Sequence, residues 1–180
     1  MNLALIGYRG TGKSTIGRLL AETLGMTYVC CDEEIVRQAG MSIPEIVGRF
    51  SWEHFRDLES RVVADVAARD GQVVDTGGGV VTRAANVTAL RAGAIVFLLE
   101  ATVADIVARI GATTERPSLS GTKSFTDEVE EILSERRPLY EAAADFRIDT
   151  SKLSAEQAAE EIIRLFRQRG QGPLSERERR

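Results

Sequence analysis

The sequence predicts an α/β fold in which a parallel sheet is covered by helices on both faces. Three observations carry this. Short apolar runs alternate along the chain with longer segments in which apolar residues recur at helical spacing. Runs such as Leu3 to Ile6 and Ala94 to Leu99 are apolar throughout, as strands buried on both faces are. Three of them run into glycines or an aspartate, at the carboxyl ends where such sheets bind ligands.

The elements follow in order. Residues 2–6 (Asn-Leu-Ala-Leu-Ile) read as a buried strand that stops at Gly7. After a glycine-rich turn, Ile16, Leu19, Leu20, Thr23 and Leu24 keep helical spacing, and Gly25 is the expected C-cap. A strand is expected over 27–30, then helix through residues 33–69 with a break near Met41 to Pro44. Residues 72–75 form the next strand, followed by three glycines, a helix over 83–91 and a strand over 94–99. Helix is expected at 102–110, but from 111 to 124 the chain is rich in Gly, Thr and Ser without apolar period. A stretch of that kind reads as a functional lid or as disorder. Helix resumes over 126–140, a strand follows at 146–149, and an amphipathic helix spans 154–169. The polar tail over 170–180 is expected to be disordered.

The 180 residues suit one domain over 1–169, with 43% hydrophobic and 28% charged residues. A net charge of -4 speaks against general nucleic-acid binding, and no apolar run is long enough to span a bilayer. The chain enters its first strand at once rather than through a signal peptide. The two cysteines, Cys30 and Cys31, are adjacent and fit a reducing cytoplasm. No exposed apolar helix face advertises a partner, so a monomer is expected.

Gly7-Tyr8-Arg9-Gly10-Thr11-Gly12-Lys13-Ser14 fits the P-loop pattern at every required position, between a strand and a helix. Its glycines let backbone N–H groups turn toward a phosphate, with the positive end of the helix behind them. Gly10, Thr11, Gly12, Lys13, Ser14 and Thr15 are therefore the expected nucleotide cradle. Lys13 reaches the β- and γ-phosphates, and the Ser14 hydroxyl holds Mg²⁺. The pattern does not by itself separate kinase, GTPase and ATPase.

Four further features narrow the choice. Asp32 follows the second strand. Arg56 and Glu59, within Phe55-Arg56-Asp57-Leu58-Glu59, share a helix face. Gly77, Gly78 and Gly79 follow the third strand, and Arg116-Pro117 lies in the expected lid. Arg136 precedes Arg137-Pro138-Leu139-Tyr140. Taken singly, each also reads as a surface ion pair, a tight turn or a solvated charge. Together with the P-loop, from about residue 2 to 169, they resemble the shikimate kinase family.

That resemblance implies a three-layer P-loop kinase fold with a five-stranded parallel sheet, similar to nucleoside monophosphate kinases, with a lid at 111–124 and a substrate lobe at about 32–60. It implies transfer of the γ-phosphate of ATP, with Mg²⁺, to the 3-hydroxyl of shikimate, a step toward the aromatic amino acids. Asp32 is then the group that orients or deprotonates the attacking hydroxyl. Arg56 and Arg136 clamp the carboxylate, and Glu59 locks Arg56. Gly77, Gly78 and Gly79 bring backbone close to the substrate. Arg116 closes over the phosphates with the lid, and Arg109 is the residue that stacks on adenine. Lys13, Asp32 and Arg116 form the expected catalytic set.

The chain departs from the family at one position. The family usually has two aspartates, spaced by one residue, after the second strand, and here the first is Cys30. A neutral thiol suits a hard cation badly. Three explanations stand open. Asp75, at the end of Val73-Val74-Asp75, takes over the support of Mg²⁺ through water. Or the substrate is shifted, as in gluconate kinase. Or the chain is a degenerate kinase fold that binds or regulates. Intact Lys13, Asp32, Arg56, Arg116 and Arg136 speak against the last two. His54, the single histidine, and Trp52 read as surface and packing residues.

Overall fold

The computed structural model describes residues 1–111 and 125–170. Five strands form one sheet: β1 (Asn2–Ile6), β2 (Thr27–Cys30), β3 (Gln72–Asp75), β4 (Ala94–Glu100) and β5 (Phe146–Asp149). Their order is β2-β3-β1-β4-β5, and every neighbouring pair is parallel. Parallel pairs need crossover connections, and helices occur in each of them. α1 (Lys13–Leu24) joins β1 to β2; α2 (Cys31–Ala39), α3 (Ile43–Arg49) and α4 (Trp52–Ala67) lie between β2 and β3. α5 (Ala84–Gly93) precedes β4, α6 (Val103–Gly111) and α7 (Phe125–Ala143) precede β5, and α8 (Ala155–Gly170) follows it.

The two-residue period of the strands divides the core. Leu3, Leu5, Val73, Ile95 and Phe97 pack with Ile16 and Leu20 of α1 and Ile162 of α8. Ala4, Ile6, Val74, Val96 and Leu98 pack with Phe55, Val62 and Val63 of α4, Leu90 of α5 and Tyr140 of α7. β1 is buried along its whole length, as the centre of a sheet covered on both faces must be.

Local chemistry explains the helix boundaries. Gly25 ends α1 in the left-handed conformation, φ 64°. The expected break near Met41 is a capping box: the Ser42 hydroxyl accepts from the Glu45 N–H, and the Glu45 carboxylate accepts from the Ser42 N–H at 2.8 Å. The helical stretch expected over 33–69 has a second break that the sequence reading did not mark, between α3 and α4. α4 starts afresh at Ser51, whose hydroxyl accepts from the His54 N–H at 3.1 Å. α4 carries Arg56 and Glu59, which lie against Gly79 and Gly77. The helix expected at 83 begins at Ala84, after a 3-10 turn at Val80–Thr82. Apart from Gly111, which closes α6, the expected lid lies outside the described residues, as does the tail from 171. Among the described residues, no helix is long and apolar enough to cross a membrane.

Candidate active site

The loops after β1 and β3 and the start of α2, which follows β2 directly, meet at the carboxyl edge of the parallel sheet. Neighbouring β1 and β4 send the chain in opposite directions, to β2 and to β5, so a switch point falls beside the glycine-rich loop.

That loop is shaped by its backbone. Gly7, Gly10 and Gly12 have φ of 138°, 81° and 92°. A side chain at Gly7 would put its Cβ 2.3 Å from the Leu99 carbonyl oxygen, so only glycine fits. The Thr11 hydroxyl donates to the Tyr8 carbonyl at 2.8 Å and holds the turn. The Lys13 ammonium lies within the loop, donating to the carbonyls of Gly7 at 2.9 Å and Tyr8 at 3.0 Å. No acidic residue occupies the first turn of α1, which leaves its positive end to an anion. Ser14 and Thr15 are exposed on that turn. Arg109 of α6 flanks the loop, donating to the Gly10 carbonyl at 3.2 Å and to the Thr150 carbonyl at 2.8 Å.

The other half of the site is built from charged side chains. Arg56 donates to Glu59 Oε2 at 2.6 Å, and the Glu59 side chain is only 1% exposed. Burial pushes the Glu59 carboxyl above its usual range, with the Arg56 guanidinium opposing the shift. Its second oxygen, Oε1, is buried, has no hydrogen-bond partner among the described residues, and faces Gly77 together with Asp32 Oδ1. A Cβ at Gly77 would lie 2.8 Å from the first oxygen and 2.9 Å from the second. At Gly79 a Cβ would fall 2.0 Å from Arg56 Nη2, so the missing side chain is what admits the guanidinium. Arg136 of α7 donates to the Gly78 carbonyl at 3.0 Å, and the Tyr140 hydroxyl donates to the same oxygen. The three glycines are thus lined by Asp32, Glu59, Arg56 and Arg136.

Between the halves lies Asp75. It is 3% exposed, and its Oδ2 accepts from the Ser14 hydroxyl at 2.7 Å and the Tyr28 hydroxyl at 2.8 Å. Burial, then the Asp75 carboxylate, pushes the Tyr28 hydroxyl far above its ordinary value, so it remains a donor. Cys30 pairs in register with Asp75, and burial together with Asp75 and Asp32 raises its thiol, which stays neutral. Among the described residues, no group of three or more His, Cys, Asp or Glu is arranged to hold a metal ion.

Comparison with known proteins agrees with this geometry. The family model described as shikimate kinase matches residues 9–167. The chain belongs to the shikimate kinase family. The shikimate kinase of Thermodesulfovibrio yellowstonii is 40% identical over 171 residues, covering 95% of this chain and 98% of that protein. Among solved structures, shikimate kinase from Acinetobacter baumannii in complex with shikimate superposes with a TM-score of 0.88 at 33% identity. That match covers 93% of each chain. The Aquifex aeolicus shikimate kinase gives 0.79 at 26% identity, covering 96% of this chain and 100% of that one.

In this shikimate kinase family member the sequence-derived residues Lys13, Ser14, Asp32, Arg56, Arg136 and the three glycines converge on one edge of the sheet. Arg109 stands beside the glycine-rich loop, tied to it through the Gly10 carbonyl. Arg116 lies outside the described residues. Tyr28 and Tyr140 were given no role by the sequence, although Tyr140 closes the Arg137-Pro138-Leu139-Tyr140 motif. Each acts through a hydroxyl that reaches a site residue 47 or 62 positions away. A clue for Tyr28 was present in Gly17: a Cβ there would lie 2.9 Å from the Tyr28 ring, so glycine on that helix face opens room for it.

Proposed function

We propose that this chain is a kinase that transfers the γ-phosphoryl group of ATP to the 3-hydroxyl of shikimate, releasing ADP, shikimate 3-phosphate and a proton. The observation that carries this reading is the pairing of a glycine-formed phosphate cradle with two guanidiniums aimed at adjacent glycines.

A dianionic transition state needs positive charge held in place rather than covalent help. Lys13 sits inside the loop, poised to exchange its two carbonyl partners for phosphate oxygens. Arg109 borders the adenine side. On the acceptor side, Arg56 and Arg136 present forked donors that match a carboxylate. Asp32, beside Gly77, takes ring hydroxyls and accepts the proton of the attacking one. Glu59 keeps Arg56 from swinging away. Arg116, from the expected lid, adds a further cation by the family resemblance.

Mg²⁺ fits the residues present. It is a hard cation that binds through few protein oxygens and the substrate phosphates, and the exposed Ser14 hydroxyl beside a carboxylate meets that need. Ser14, with the Asp75 carboxylate behind it, would hold such an ion, which would supply positive charge against the terminal phosphates. We further assign the chain to the cytoplasm as a monomer, with shikimate as its small-molecule partner and no role for nucleic acid or membrane.

The test is ADP release by purified protein with ATP and Mg²⁺ against shikimate, gluconate, nucleoside monophosphates and no acceptor. Turnover is expected with shikimate. Turnover with another acceptor in its place overturns the substrate assignment, and nucleotide binding without turnover on any acceptor favours a regulatory role.

A further inference from the structure

Asp75, so far only the carboxylate beside Ser14, is buried at the seam of the two half-sites. Its partners show what it does. The Ser14 hydroxyl has one proton and two lone pairs. It commits the proton to Asp75 Oδ2 at 2.7 Å. Its lone pairs are then the part left to face the cradle, which is the orientation a cation requires. With no such acceptor, the hydroxyl rotates freely and can turn its proton toward the metal.

Asp75 is itself held. The Tyr28 hydroxyl donates to the same oxygen at 2.8 Å. The Tyr28 ring lies over the side-chain-free surface of α1 at Gly17, with the Arg18 guanidinium 4.4 Å from its centroid. Gly17, Arg18, Tyr28, Asp75 and Ser14 therefore form one chain of contacts from the surface of α1 to its first turn. Next to Asp75, in register on β2, stands Cys30. Adjacent strands lie about 4.8 Å apart, so the two side chains occupy neighbouring places at this edge. Only Asp75 offers the oxygen that a hard cation's water shell prefers.

We propose that Asp75 is the carboxylate that sets the Mg²⁺ site of this chain, with Tyr28 as its positioning residue: it aligns the Ser14 hydroxyl and accepts from the water shell of the ion that arrives with the nucleotide. The proposal rests on the reading of the cradle as an ATP site. Its test uses ADP and metal alone, so shikimate turnover does not enter.

The measurement is Mn²⁺ binding to the protein–ADP complex, followed by the loss of the free Mn²⁺ signal in electron paramagnetic resonance, alongside calorimetric ADP binding without metal. Outer partners of metal ligands are worth about 10–100-fold in metal affinity. Asp75→Ala is expected to lose affinity for Mn²⁺ on that scale while binding metal-free ADP as the parent does. Tyr28→Phe should lose a smaller factor. A loss of less than about threefold in Asp75→Ala, well below that scale, overturns the proposal, and so does an equal loss of metal-free ADP binding. Asp75→Asn, which keeps shape and removes charge, carries the same criteria if the alanine variant does not fold. Cys30→Asp placed in the Asp75→Ala background is expected to restore affinity; failure to do so overturns the assignment of the metal's carboxylate to this strand edge. If the parent protein binds no ADP, the ATP-site reading fails instead.

Discussion

The two halves of the site are built by different means. The nucleotide half is made of backbone: glycines at positive φ, carbonyls that hold Lys13, and the open end of α1. The proposed acceptor half is made of side chains from α2, α4 and α7: Arg56 is held by Glu59, Arg136 by the Gly78 carbonyl, and Asp32 stands beside Gly77. A backbone cradle is encoded in a contiguous stretch and binds what many nucleotides share. A side-chain clamp is assembled from distant segments and selects one acceptor. The division predicts that mutations in the halves separate kinetically.

The largest effect is expected at Lys13. Lys13→Ala should lower kcat on the order of 10²–10³-fold, the scale for removing one fixed charge-stabilising donor. Calorimetric binding of shikimate to the ATP-free protein should change little, and an equal loss there would break the comparison.

Gly79→Ala should do the reverse. Its Cβ would fall 2.0 Å from Arg56 Nη2, so the guanidinium must leave its place. A hydrogen bond to a charged group is worth about 1.5–3 kcal/mol, so the KM for shikimate should rise on the order of 10–100-fold. The KM for ATP should remain near that of the parent, as steady-state kinetics with each substrate varied will show.

The smallest effect sharpens the comparison through pH. Glu59 titrates above its usual range in the folded protein because it is buried, while the unfolded chain returns it to about 4.3. Its contribution to stability is therefore fully present below the unfolded value and lost as pH rises through the folded one. Glu59→Gln, which does not titrate, should gain in melting temperature relative to the parent as pH rises from about 4 toward neutrality. A difference that stays constant with pH would mean that Arg56 fully offsets the burial.

Much of this was legible in the sequence because the signals are local. All five strands lie where short apolar runs placed them, and Gly25 and the break before Pro44 carry ordinary capping chemistry. The restart of α4 at Ser51 was missed because apolar spacing continues across it, and only the Ser51–His54 cap marks the boundary. Asp75 was legible as a carboxylate at a strand end. That it meets both Ser14 and Tyr28 depends on contacts 61 and 47 residues apart, which no local pattern reports. Glu59 was legible as a partner of Arg56 from their helical spacing, but not its buried second oxygen. That oxygen lies against Gly77, a contact between segments 18 residues apart that helical spacing alone does not report.

The register of Cys30 against Asp75 bears on how such enzymes diverge. Inheritance is usually judged position by position along one strand, where a lost aspartate reads as decay. Two strands lying side by side give selection two addresses for one charge. A lineage that acquires the acid at the second address can let the first drift to cysteine without passing through an inactive ancestor. Surveys that sort active from defunct members by a single alignment column will then discard working enzymes, and the neighbouring strand is the place to look before doing so.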